Sequence, residues 1–311
     1  MAPIAMNGRA KVRRTSRQRR EDVLTAYLCL LPWIVGFLAW TLGPMLFSFG
    51  LSFFRADMLT GSRFLALGNY KELFTEDPLF WKSLRVTATY AFVSVPLGAA
   101  LAIAVAMLLN QNIIFLGFWR TVYYLPSVVS GVAVSLLWLQ IFNPRMGLLN
   151  GALKVLGITG PKWIYDSNWA LPSLIIMSVW GVGGNMLLYL AGLQGIPTQL
   201  YEAASMDGAN AWHRFWNVTM PMLSPTIFFN VIMGLIGSFQ FFSQPLIMTG
   251  GGPNNATLSM VLYLYNKAFL QTQFGYASAI AWVLFAIIIC FTLLVVRSSN
   301  RWVYYEGEER R

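Results

Sequence analysis

Between Asp166 and Glu202 the chain contains no Asp, Glu, Lys or Arg, and between Arg214 and Lys267 it contains none either. A water-exposed surface needs charge at closer intervals than this. A helix crossing a hydrocarbon core needs about 20 apolar residues, which these runs supply. The whole chain follows the same pattern, with 57% of its 311 residues hydrophobic and 11% charged. A polytopic membrane protein is the class these features define. The net charge of +10 is scattered and forms no basic groove interleaved with aromatics, so nucleic acid is not the expected partner.

Six spans can be drawn, at about 23–54, 86–109, 121–142, 171–193, 221–248 and 276–296. Pro32 and Pro44 are candidate kinks in the first. The basic stretch before Val23 and the length of the first run point to a retained span rather than a cleaved leader. The expected organisation is a basic cytoplasmic segment at 1–22, a transmembrane domain at 23–297 with a structured loop at 198–220, and a cytoplasmic tail at 298–311. With the first flank inside, lysines and arginines divide thirteen inside to nine outside. Both termini are therefore expected in the cytoplasm.

The residues exclude several chemistries. No H-E-x-x-H, G-x-S-x-G or C-x-x-C occurs, and His213 is the only histidine. The stretch GITGPK, 157–162, lacks the spacing of a phosphate loop. The chain is thus expected to be no enzyme and to hold no cofactor or metal; ATP, if used, must bind another chain. Cys29 and Cys290 fall in apolar runs and read as small buried hydrophobes. Spans without acidic or basic residues argue against an ion-coupled carrier, which usually buries such groups on its path.

One loop is too structured for a simple turn: YEAASMDGANAWHRFW, 201–216. Pro197 and Thr198 read as a break and an N-cap. Glu202 is expected in the first helical turn, where it complements the helix dipole. Asp207-Gly208 reads as a stop and Asn210 as the cap of a second short helix. Trp212, Phe215 and Trp216 then share a face. The loop is either an interfacial linker or a docking element for a soluble protein.

Read as one helix, the fifth span places Asn230, Gly234, Gly237, Ser238, Phe241 and Gln244 on one face. Phe228, Ile232, Leu235, Ile236, Phe239, Phe242 and Leu246 take the other, expected to meet lipid. The first face suits either a substrate path for a neutral hydroxyl-rich compound or close packing at its glycines. On the fourth span Ser173, Met177, Trp180 and Gly184 align.

The segment EAASMDGANAWHRFWNVTMP, Glu202 to Pro221, resembles the EAA loop of permease subunits of binding-protein-dependent ABC importers. The stretches LGNYKELFTEDPLFWKSL, YYLPSVVSGVAVSLLWLQIFNPRMGLLN and MTGGGPNNAT resemble segments of the carbohydrate branch, including maltose permeases. The resemblance implies an all-α, six-span permease fold of the MetI type that moves a sugar across a bacterial cytoplasmic membrane, with glycerol phosphate as the alternative cargo. It implies a second permease, two copies of a cytoplasmic ATPase holding ATP and Mg, and an extracytoplasmic binding protein. Glu202, Ala203, Ala204, Asp207 and Gly208 would couple to the ATPase. Sugar-contacting positions of the family fall on Met177, Trp180, Gly181, Gly184, Gly234, Gly237, Ser238 and Phe241. The chain departs from the family at Met177, Gly184 and Phe241, where amide or tyrosine side chains stand in a relative.

Overall fold

The computed structural model describes residues 16–57 and 61–304. Most of the expected N-terminal segment and the end of the C-terminal tail lie outside the described residues. The chain divides after Leu51 into two units. The first holds α1 (Ser16–Phe37), a π turn at Leu38–Leu42 and α2 (Gly43–Leu51). The wide turn falls just before Pro44, which has no N–H to donate into the helix. The span ends at Leu51, and Phe54, expected inside it, begins a strand.

The second unit opens with a hairpin of β1 (Phe54–Asp57) and β2 (Gly61–Phe64). There follow α3 (Gly68–Thr75), α4 (Pro78–Leu109), α5 (Leu116–Val128), α6 (Gly131–Ile141), α7 (Leu148–Val155), α8 (Ala170–Trp180) and α9 (Gly183–Gln194). The chain continues through α10 (Thr198–Met206), α11 (Ala211–Arg214), α12 (Met220–Phe239), α13 (Ser243–Met248), α14 (Met260–Tyr265) and α15 (Phe274–Trp302). Among the described residues, four helical stretches are long and apolar enough to cross a membrane, and up to six if each of two bent pairs counts as one span.

Those pairs fall on the expected third and fourth spans, and each is bent. Helices α5 and α6 meet at 100°, and α8 and α9 at 47°. At the first bend Val129 and Ser130 turn extended, and Ser130 Oγ accepts from the Ala133 N–H to start α6. At the second, Gly183 meets the α5 backbone so closely that a Cβ there would lie 2.1 Å from the Tyr123 carbonyl oxygen.

Helix α4 is the axis of the unit, packing on α8, α9, α12 and α14. At one end Asp77 caps it, accepting from the N–H groups of Leu79 and Phe80. The second Asp77 oxygen accepts from the hydroxyls of Tyr263 and Tyr276, tying α4 to α14 and α15. Burial works against this carboxylate, but the two hydroxyls and two N–H groups outweigh it and hold its pKa below the ordinary value. Lys267 Nζ lies 5.5 Å and 5.0 Å from the same two rings. At the other end of α4, Leu109 packs with Leu190, Leu193, Ile196 and Leu223.

Cys29 and Cys290 are exposed, not buried as expected. The physical reason is the solvent. In a membrane protein the outer face of a span is as apolar as its core, so an apolar run does not say which side chains are inside.

Candidate functional site

Several polar side chains of the apolar spans meet at the crossing of α4, α8, α9 and α12. A cavity of about 150 Å³ is lined there by groups that include Tyr90, Ser94, Ser178, Asn185, Tyr189 and Asn230. Gly181, Gly234 and Ser238 complete its wall among the expected residues. A wider cleft of about 620 Å³ adjoins it, sharing Tyr90, Gly234 and Ser238 and adding Gly237, Gln240, Phe241 and Gln244. No described lining residue of either space is charged. Ring-bearing and hydroxyl or amide groups are what a neutral polyol requires: donors, acceptors and flat apolar faces.

The structure gathers seven of the nine expected path residues around these two spaces. Trp180 and Gly184 are the exceptions. Trp180 sits edge-on to Trp138 at 6.1 Å. Gly184 faces α5, where a Cβ would approach Ser127 at 3.9 Å. The expected face of α8 and α9 is broken by the bend after Trp180. Met177, carried over from the resemblance, is buried among apolar side chains and lines neither space.

The fifth span is also not one helix. Helix α12 stops at Phe239, Gln240–Phe242 are irregular, and α13 restarts at Ser243. Phe241 thereby turns inward and stacks on Tyr90, with ring centroids 3.9 Å apart and planes 12° apart. The face expected to meet lipid packs instead on protein. Leu235 and Phe239 are buried against α14 and α15, and Phe239 stacks on Phe291. The outward residues of α12 include Phe229 and Met233, each 54% exposed. The two glycines divide the two roles left open for this face. A Cβ on Gly234 would lie 3.2 Å from Val95, so this position serves packing against α4, whereas Gly237 has open space before it.

Tyr90, Ser94, Ser178, Asn185 and Tyr189 escaped the sequence reading. A signal existed: Tyr90 and Ser94 are one helical turn apart, as are Asn185 and Tyr189. The Tyr189 hydroxyl is buried without a partner among the described residues.

At the α9–α12 end the structured loop forms a helix, a glycine bend and a second helix, as the sequence implies. Gly208 has φ +79°. Its N–H donates to the Ser205 carbonyl at 3.1 Å, and the Ala209 N–H to the Ala204 carbonyl at 2.9 Å. These two bonds are the Schellman closure that requires a left-handed residue. Asn210 Oδ1 accepts from the His213 N–H at 2.9 Å, as expected of a cap. Three details differ. Pro197, not Thr198, is the capping residue, without a side-chain bond. Glu202 is the fifth residue of α10 and lies beyond its first turn. The short α11 is not separate from the next span, because helix continues from it through the π turn Phe215–Thr219 into α12. Prolines 221 and 225 lack the N–H groups that α-helical bonding would use there. Glu202, Ala203, Asp207 and Gly208 are exposed, and Ala204 is half-buried. The loop is braced by Arg214 to Ser205 Oγ at 3.2 Å and by the Tyr201 and Thr219 hydroxyls at 3.0 Å.

Residues 83–304 match the family model described as binding-protein-dependent transport system inner membrane component. The chain belongs to this family. It is 42% identical over 304 residues to the probable ABC transporter permease protein YesP of Bacillus subtilis, covering 96% of this chain and 98% of that one. It is 37% identical over 311 residues to the lactose transport system permease protein LacF of Rhizobium radiobacter, covering 97% and 100%. The fold is that of a permease chain in the crystal structure of a bacterial alginate ABC transporter, with a TM-score of 0.78 at 24% identity, covering 92% of this chain and 96% of that one. The mostly helical ABC permease fold, the multi-pass character and the binding-protein-dependent class are thus established.

Proposed function

We propose that the chain forms one half of the pore of an ATP-driven importer for a neutral sugar or oligosaccharide. The observation that carries the cargo is the lining of the cavity and cleft, rich in hydroxyls, amides and rings and free of charge. Relatives named for lactose and for trehalose/maltose support it, at 37% and 32% identity. A relative named for sn-glycerol-3-phosphate, 32% identical, favours a second reading. A phosphate needs a cation or a set of aimed N–H groups, and no Lys or Arg lines either space. The sugar reading is preferred for that reason.

In this reading the α10 end of the chain is cytoplasmic, both termini with it, in a bacterial inner membrane. A second permease completes the pore, two copies of a separate ATPase bind ATP and Mg, and an extracytoplasmic protein delivers the sugar. Glu202, Ala203, Ala204, Asp207 and Gly208 present the docking surface to the ATPase. Helix α10 is short and closed by two hydrogen bonds, and the segment after the bend is continuous with α12. A push on α10 therefore reaches α12 without a flexible joint.

The test is uptake of labelled sugars by the reconstituted transporter. Ser238→Arg is expected to abolish uptake while the complex still assembles. Unchanged uptake kinetics in that variant would leave the cavity as a packing defect, and uptake of glycerol phosphate alone would select the second reading.

A further inference from the structure

Ser94 on α4 and Asn230 on α12 are nearly sealed from solvent, at 8% and 5% exposed, yet both hold unused hydrogen-bonding groups. Buried serines elsewhere return the hydroxyl to the carbonyl four residues back, as Ser135 does to Gly131 and Ser173 to Trp169, at 2.7 Å each. The Ser94 hydroxyl bonds to no described residue. Asn230 donates one N–H to the Thr226 carbonyl at 2.8 Å, and its carboxamide oxygen accepts from no described residue. Tyr189 on α9 is fully buried, and its hydroxyl lacks a partner among the described residues too. All three residues line the cavity of about 150 Å³. Polar groups left unmet between apolar helices are costly. Three around one space point to a polar occupant.

The volume of the space restricts that occupant. An apolar cavity of this size takes one six-membered carbon ring. Here the wall offers donors and acceptors instead. Asn185, one turn from Tyr189, adds a carboxamide with no bond to a described residue. The matching ligand is a six-membered ring that carries hydroxyls. No charged residue lines the cavity, so a ring bearing a carboxylate would lose water without gaining a cation. The cavity adjoins the cleft of about 620 Å³, with Tyr90, Gly234 and Ser238 common to both walls. A second ring has no room in the cavity and belongs in the cleft, beside the stacked pair Tyr90 and Phe241.

We propose that the cavity is a single-ring subsite, an inference that rests on the sugar reading above. It receives one uncharged pyranose, the leading ring of the glycan, and Ser94, Asn185 and Asn230 bind its hydroxyls. The remaining rings stay in the cleft. The glycan therefore passes end first, and its leading ring is the one selected. None of these three residues is among the positions carried over from the resemblance.

The test titrates the full transporter, without nucleotide or binding protein, with methyl glucosides and methyl galactosides, read by saturation-transfer NMR. Each glycoside is compared with its monodeoxy derivatives and with the matching methyl glucuronide or galacturonide. The wild type is expected to bind a neutral glycoside and to reject the uronides. At least one deoxy derivative is expected to bind the wild type roughly three- to tenfold more weakly than its parent. In Ser94→Ala or Asn230→Leu that difference should disappear, because the partner of the deleted hydroxyl is gone. A residue that only supports the fold would weaken parent and derivative alike and leave the difference in place, and that result would overturn the proposal. So would a uronide that binds as well as the neutral ring. Melting temperature in detergent reads whether each variant folds, and Ser94→Ala, which adds no bulk, keeps the test decisive if Asn230→Leu does not. Uptake of labelled sugars by a wild type that binds no glycoside would overturn the subsite alone, whereas loss of both binding and uptake would overturn the sugar reading itself.

Discussion

Replacing Gly208 by Val tests whether the bend after α10 is mechanical. At φ +79° an L-residue incurs the left-handed penalty, about 1–2 kcal/mol. Nothing lies within 4 Å of a Cβ at this position, so the Cβ itself meets no collision and the backbone conformation carries its cost. A penalty of that size lowers the population of the closed bend roughly five- to thirty-fold. Opening it also releases the bonds to the Ser205 and Ala204 carbonyls. Asn tolerates the left-handed region and sits well at this position of a Schellman closure, so Gly208→Asn is expected to recover most of the loss. Membrane insertion should be the same in all three proteins. A distance measurement between spin labels at Ala203 and Trp212 reads the bend directly, and is expected to broaden in the Val variant alone. Sugar uptake should fall in the same variant, with ATP hydrolysis released from transport. If Gly, Asn and Val gave equal distances and equal uptake, the bend would not position α10 and the argument would fail.

Gly183→Ala is expected to destabilise the protein by about 1–3 kcal/mol, since the added Cβ would meet the Tyr123 carbonyl oxygen at 2.1 Å; thermal unfolding in detergent measures this. Gly237→Ala, which faces open space, is expected to leave the melting temperature unchanged and to reduce uptake by narrowing the cleft; equal stability losses for the two would refute the distinction. Asp77→Asn is expected to lower the melting temperature at neutral pH. Because the folded-state pKa of Asp77 lies below 3.8, its ionic contribution is present above that value and lost as the pH falls through the lowered folded value. The gap between wild type and Asp77→Asn should therefore close as the solution is acidified below 3.8, and a gap that does not vary with pH would contradict it.

Spans, the α10 bend and its cap are legible from the residues alone because each rests on local physics. A charge-free run has nowhere to go but hydrocarbon or a core. Gly208 and Asn210 carry their backbone preferences wherever they stand. The 100° bend between α5 and α6, the break at Gln240–Phe242 and the contact at Gly183 are different. Each depends on what another helix places nearby, and the apolar residues around them are compatible with straight helices too. The orientation of α12 was misread for a related reason. A periodicity of apolar side chains separates surfaces that avoid water from surfaces that seek it. Lipid and protein core both avoid water, so Leu235 and Phe239 look the same whether they face acyl chains or α15. Only packing against neighbouring helices decides between the two, and that same packing brings Tyr90 from α4, Asn185 from α9 and Ser238 from α12 around one cavity.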